Sequence, residues 1–353
     1  MDNNMHLVAI TAALLLPAIA GGVRADWTTA HLALLDEHVI PRYEALAETT
    51  AGLAADADRF CNAPDAKGLE RVRRDYHQVM DAWQAVAHIS FGPVELFMRR
   101  ERFELWPDKH GTGARQLRAL LVAQDREMLA QEAFPRGSVA VQGLPALERL
   151  LFESDIDPAS FGSTDGPGYR CALGQAIAAN LKHMAEETLD AWTSPTSNAS
   201  SAFGSSDEVA ALFLRDLRTT VQKIADLKLR RPMGKDPTRA KPERAESWRS
   251  QRSLQNIRIN LQAARNLYAT CFAPVVASEA KTPELDRRIR AAFDEAIDGT
   301  ALDEPLQDLI ADPARRTSLE QLLASVQTLE QMIASELPGA LGLAIGFNAL
   351  DGD

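Results

Sequence analysis

Apolar residues along this chain recur at spacings of three and four rather than two, the pattern of helices that bury one stripe and wet the other. The pattern predicts helices over Trp27 to Arg59, Leu69 to His88, Ala114 to Leu129, Ala172 to Trp192, Glu208 to Leu229, Ala245 to Tyr268, Leu285 to Ala296 and Leu302 to Leu337. No stretch alternates convincingly as a strand would. Pro41 falls inside the first segment and predicts a kink or a split, because proline brings no amide hydrogen. SPTSNASSAFGSSD, Ser194 to Asp207, is small and polar and reads as a linker. About four helices lie on each side of it, the number a bundle needs. The expected fold is all-α: two packed four-helix bundles, residues 26–195 and 206–353, with a cleft between them.

The leading stretch changes this picture at one end. Its apolar run from Leu7 to Ala20 is too short to span a bilayer comfortably, and Val23 and Ala25 offer a small-residue cleavage point before Asp26. Residues 1–25 are therefore expected to be an export signal, although His6 stands where lysine or arginine is customary. The mature protein is expected to be periplasmic or otherwise exported, with no integral membrane segment. Composition agrees with a globular chain: 353 residues, 46% hydrophobic and 25% charged, support two ordinary domains or one large core. The net charge of -11 argues against nucleic acid, whose binding draws on basic surface. Three cysteines follow the signal: Cys61, Cys171 and Cys271. Any one pair can bridge in an oxidising compartment; Cys61 with Cys171 is favoured because both lie in the first half. The alternative is three buried thiols acting as small hydrophobes.

Standard catalytic signatures are missing: no His-Glu-x-x-His, phosphate loop, dinucleotide fingerprint, haem attachment or Gly-x-Ser-x-Gly elbow. His31 and His38 are two turns apart, His77, His88, His110 and His183 are scattered, and none lies beyond 183, which excludes a His-rich metal site drawn equally from both halves. What remains are polar clusters at helix ends. WQAVAHISFGPVELF ends a helix at Gly92-Pro93, and FELWPD places an aromatic, a proline and a carboxylate at a turn. RAESWRSQRSLQNI is expected to group Glu246, Arg249, Ser250 and Ser253 on one helical face. KLRRPMGKDPTRAKPER, Lys228 to Arg244, is a basic island that could hold an anion but reads more simply as a solvated loop.

Together these stretches resemble the imelysin family: FGP at Phe91 to Pro93, WPD at Trp106 to Asp108, QGLPALE at Gln142 to Glu148, ESWRSQRSLQNI at Glu246 to Ile257, and LGLAIGFNALDGD at Leu341 to Asp353. The resemblance implies an exported, all-helical protein of two four-helix bundles with a site between them, often tied to iron acquisition; some relatives are classed as metallopeptidases. The family's Gly-x-His-x-x-Glu falls on Gly143, Pro145 and Glu148, so a proline replaces the histidine and one presumed metal ligand is gone. A lone carboxylate is a poor metal site. Glu148 shares a helical face with Leu144, Leu151 and Phe152, so it should be buried and need a partner, for which Arg249 is the candidate.

Two functions follow. In the first, the protein is a noncatalytic binding module, its cleft lined by Trp106, Asp108, Gly143, Pro145, Glu148, Glu246, Arg249 and Ser253. The occupant would be a small ligand, a metal complex or an envelope partner of an iron-uptake system. In the second, it is a metal-dependent peptidase with His88 and Asp108 joining Glu148 as substitute ligands for a divalent or iron cation that is not tightly held.

Overall fold

The computed structural model describes Trp27 and residues 33–163, 166–194, 205–278 and 283–343. The segment expected to be an export signal, His31, most of the linker and the terminal motif from residue 344 lie outside the described residues.

Helix α1 starts as a π-helix, Leu34–Val39, and runs on through Ile40–Asn62. Helix α2 (Ala66–Val86) opens on Asp65, whose carboxylate accepts the Gly68 amide at 2.6 Å. Short helices α3 (Arg99–Phe103), α4 (Thr112–Ala123) and α5 (Leu144–Phe152) precede the long α6 (Tyr169–Thr193). In the second half, α7 (Ser206–Lys223) extends through Ile224–Arg230 and Arg231–Met233, and α8 (Ser253–Leu267) through Tyr268–Phe272 and Ala273–Ser278. Helices α9 (Pro283–Asp298), α10 (Leu306–Ala311) and α11 (Arg316–Gln331, extended through Met332–Glu336 and Leu337–Leu341) complete it. The one sheet among the described residues is a two-residue pair, Gly162–Ser163 with Gly166–Pro167.

The first helix is not split at Pro41. Each of its counterparts Pro41, Pro232, Pro274 and Pro338 is the second residue of an α-helical segment that directly follows a π-helical one. A proline cannot donate to the carbonyl four residues back and its ring crowds that oxygen; a wider turn makes room without ending the helix.

Helices α2 and α6 pack along α1, with α5 against α2 and α6; across the linker, α8 packs on α7 and α9, and α11 on the same two. Tyr43, Leu46, Tyr76 and Met80 fill the first core; Phe213, Tyr268, Phe272 and Phe293 fill the second. The two groups meet where α2 lies against α8. Polar bonds tie this joint: the Ser90 amide donates to Asp216 at 2.7 Å, and His38 Nδ1 lies 2.7 Å from the Asn266 carbonyl oxygen. A disulfide joins Cys61 to Cys171 across a Cα separation of 5.6 Å, and Cys271 is a buried thiol that burial pushes up to about 12. Among the described residues no helix is long and apolar enough to cross a membrane.

Candidate functional site

Near the joint lies a cleft of about 200 Å³, lined by residues of α2, the turn before α4, the start of α5, the end of α7 and the turns before α8. Trp106, Asp108, Pro145, Glu148, Glu246 and Arg249 all line it.

Its floor is a buried polar cluster. The Lys228 ammonium, on the buried face of α7's extension, donates to Gln84 Oε1 at 2.9 Å, Glu246 Oε2 at 2.7 Å and Asn260 Oδ1 at 2.6 Å. That uses all three of its hydrogens. Glu246 Oε2 also takes the Asn256 amide at 2.8 Å, and Asn260 Nδ2 returns to the Gln84 carbonyl at 2.8 Å. Glu104 accepts Trp83 Nε1 at 2.6 Å and Gln84 Nε2 at 3.2 Å. Burial, and next the neighbouring Glu246 charge, push Glu104 up to about 8, against the pull of Lys228. Both effects favour its protonated form. Lys228 also stands 5.9 Å from the Trp106 ring centroid, within cation–π reach.

Glu148, on α5, is buried as expected, but its partner is Ser250. The Ser250 amide and hydroxyl both donate to Glu148 Oε1, at 2.9 and 2.7 Å. Burial raises its pKa, opposed first by those two bonds and then by the Arg249 and Arg149 charges. Arg249 instead donates through Nε to Glu153 at 2.8 Å and stacks on Trp248, 4.2 Å from the ring centroid. The reason is local backbone. The expected single helix from Ala245 does not form: Ser247 and Gln251 adopt left-handed φ of 50° and 58°, and the helix starts only at Ser253. Glu246, Arg249 and Ser250 therefore point three ways rather than sharing a face. Ser253 lies beneath the cleft, its hydroxyl donating to the Glu246 carbonyl at 2.5 Å.

Gly143 does not line the cleft; it lets two segments touch. A Cβ there would land on the carbonyl oxygens of Arg102 and Phe103, the residues just before Glu104. Pro145 is the second residue of α5, where a missing amide hydrogen costs nothing, so the helix start is kept. Asp108 is engaged by the chain itself, accepting the Thr112 and Gly113 amides, each at 2.9 Å, at the start of α4.

A catalytic cation does not fit these residues. The motif histidine is Pro145, Asp108 is spent on α4, Glu148 Oε1 on Ser250, and Glu246 on Lys228 and Asn256. His88 is not in the cleft: it is buried at the joint, its Nε2 2.7 Å from His38 Nε2. His88, Asp108 and Glu148 are thus not gathered as a ligand set, and among the described residues no three His, Cys, Asp or Glu side chains converge on a cation position.

Two residues of the floor stand outside the expected set: Glu104, inside FELWPD, and Lys228, at the head of the basic island expected to be a solvated loop. For Lys228 the sequence carries a signal. Ile224, Ala225, Lys228 and Leu229 are all buried, and their three- and four-residue spacing sets the lysine among apolar neighbours.

The chain has relatives in sequence and in fold. Iron-regulated protein A of Synechococcus elongatus is 22% identical over 329 residues, 85% of this chain and 83% of that protein. The crystal structure of an imelysin-like protein from Psychrobacter arcticum 273-4 superposes with a TM-score of 0.75 at 20% identity, covering 92% of this chain and 98% of that one. That of an iron-regulated protein A precursor from Parabacteroides distasonis ATCC 8503 gives a TM-score of 0.72 at 16% identity, covering 90% of this chain and 97% of that one. The family's sequence profile, described as Imelysin, matches residues 39–333, so nearly every described helix falls within it, and the chain belongs to the imelysin family.

Proposed function

We propose that this protein is an exported, noncatalytic binding member of the imelysin family that serves iron acquisition, with its occupant in the cleft between two bundles divided near residues 195–205. The iron-regulated names of its relatives and the precursor description of one of them support the setting. The observation that carries the noncatalytic part is the fate of the motif. Pro145 brings no donor atom where the family has histidine, and the surviving Glu148 is anchored to Ser250 as part of the wall. Hydrolytic metal sites need about three protein ligands and an open position. The cleft offers instead an enclosed floor whose polar groups are already satisfied and a mouth rich in guanidinium and indole groups.

The test is peptide cleavage by the purified mature protein, with and without chelator and with zinc or ferrous iron added back. No metal-dependent cleavage is expected. Chelator-sensitive proteolysis that returns with metal would overturn the reading in favour of a peptidase.

A further inference from the structure

We propose that the occupant of this cleft is a small molecule bearing at least two oxyanion groups, carboxylate or phosphate, gripped by the arginines at its mouth. The inference rests on the binding reading above and specifies its ligand.

The carboxylates of the cleft are already engaged by the protein. Glu246 is paired with Lys228, Asp108 accepts two amides, Glu148 accepts Ser250, and Glu104 accepts Trp83 and Gln84. The guanidinium groups are less fully matched. Arg231 and Arg244 line the cleft with no ion-pair partner among the described residues; the exposed Glu243, next to Arg244 in sequence, lines it too. Burial and then the Arg244 charge lower the Arg231 pKa, so the two cations feel one another. Also on the lining, Arg149 and Arg249 converge on one atom, Glu153 Oε1, at 3.1 and 2.8 Å, while Glu148, the second carboxylate whose charge they feel, is bonded to Ser250. Arg149, like Arg231, is lowered first by burial and then by its neighbour, here Arg249.

Four guanidiniums, Arg149, Arg231, Arg244 and Arg249, thus line one space in a chain whose net charge is -11. Guanidinium forks match the planar oxygens of carboxylate and phosphate, and they strengthen in a partly desolvated site. Trp248 lies under the Arg249 guanidinium and helps hold it in place, while Trp106 lines the cleft beside Lys228. A ligand with two separated oxyanion groups can engage both pairs of arginines; a single one engages one pair.

The experiment is calorimetric titration of the full mature protein, at low ionic strength, with citrate, pyrophosphate, inorganic phosphate and the polyamine spermidine as probes. Saturable binding of citrate or pyrophosphate is expected, weaker binding of inorganic phosphate, and at least a tenfold loss in both Arg231→Gln and Arg249→Gln. Which of citrate and pyrophosphate binds more tightly separates carboxylate from phosphate. Exposed Arg287→Gln serves as the control and should leave affinity unchanged, and melting curves confirm that each variant is folded. No saturable heat with any anion, or anion binding untouched in both cleft variants, overturns the proposal. Saturable spermidine binding lost in Glu148→Gln also overturns it, while leaving a binding cleft intact. Metal-dependent proteolysis would instead sink the reading beneath it.

Discussion

At the scale of single residues, the site is defined by who satisfies whom. Glu148→Gln keeps an acceptor for both Ser250 donors, so its stability should stay within about 1 kcal/mol of wild type, whereas Glu148→Leu strands those buried donors and should cost about 1–3 kcal/mol. Urea unfolding of the two variants checks this; equal losses would mean that the carboxylate charge, not the Ser250 bonds, is what matters. Lys228→Met leaves Glu246 buried without its counter-charge and should cost about 3–5 kcal/mol by the same assay. Glu104 sets a pH dependence. Its folded pKa, pushed up to about 8 from the usual 4.5, means that the native state holds a proton the unfolded chain has lost. Its contribution is thus complete below the unfolded value and drains away as pH rises toward and through about 8. Glu104→Gln should flatten the fall in melting temperature between pH 5 and about 8. A profile equally steep in the variant would contradict the assignment.

At the scale of elements, the helices were legible and the turns were not. Three- and four-residue spacing found the long amphipathic segments because burial on one face writes itself into composition. It misread Ala245 to Ser253, where Ser247 and Gln251 take left-handed turns that no glycine announces. The same fault placed Glu246, Arg249 and Ser250 on one face and assigned Glu148 the wrong partner. Prolines misled in the other direction, since helices that widen into π-turns pass through Pro41, Pro232, Pro274 and Pro338. Of the residues taken from family motifs, Trp106, Asp108, Pro145, Glu148, Glu246 and Arg249 line one cleft, while the roles of Glu104 and Lys228 depend on a contact between halves. Gly143 shows why a motif glycine can be structural. Gly143→Ala must push α5 away from the segment carrying Glu104 and Trp106, and overpacking of this kind costs about 1–3 kcal/mol. Differential scanning fluorimetry should show the loss together with weakened ligand binding; unchanged melting would mean that the two segments are free to part.

At the scale of the molecule, the first bundle is closed by a covalent bond and the joint by buried polar contacts. The Cys61–Cys171 bridge spans 110 residues, and a loop of that length should add about 4 to 5 kcal/mol, to be read from unfolding with and without reductant. At the joint, burial first and the Arg42 charge next lower His38 to about 3, and His88 beside it is held well below its usual value, first by burial and then by the His38 charge. A depressed base loses stability as pH falls: the contribution is present above the unfolded value of about 6.5 and disappears toward about 3. Acid should therefore loosen the contact between halves from the opposite side to Glu104. The central claim is that the cleft between those halves binds without a catalytic cation. Its most direct test is the metal content per chain of the purified protein after dialysis into metal-free buffer. The account predicts far less than one bound ion per chain, and about one tightly held ion per chain would contradict it.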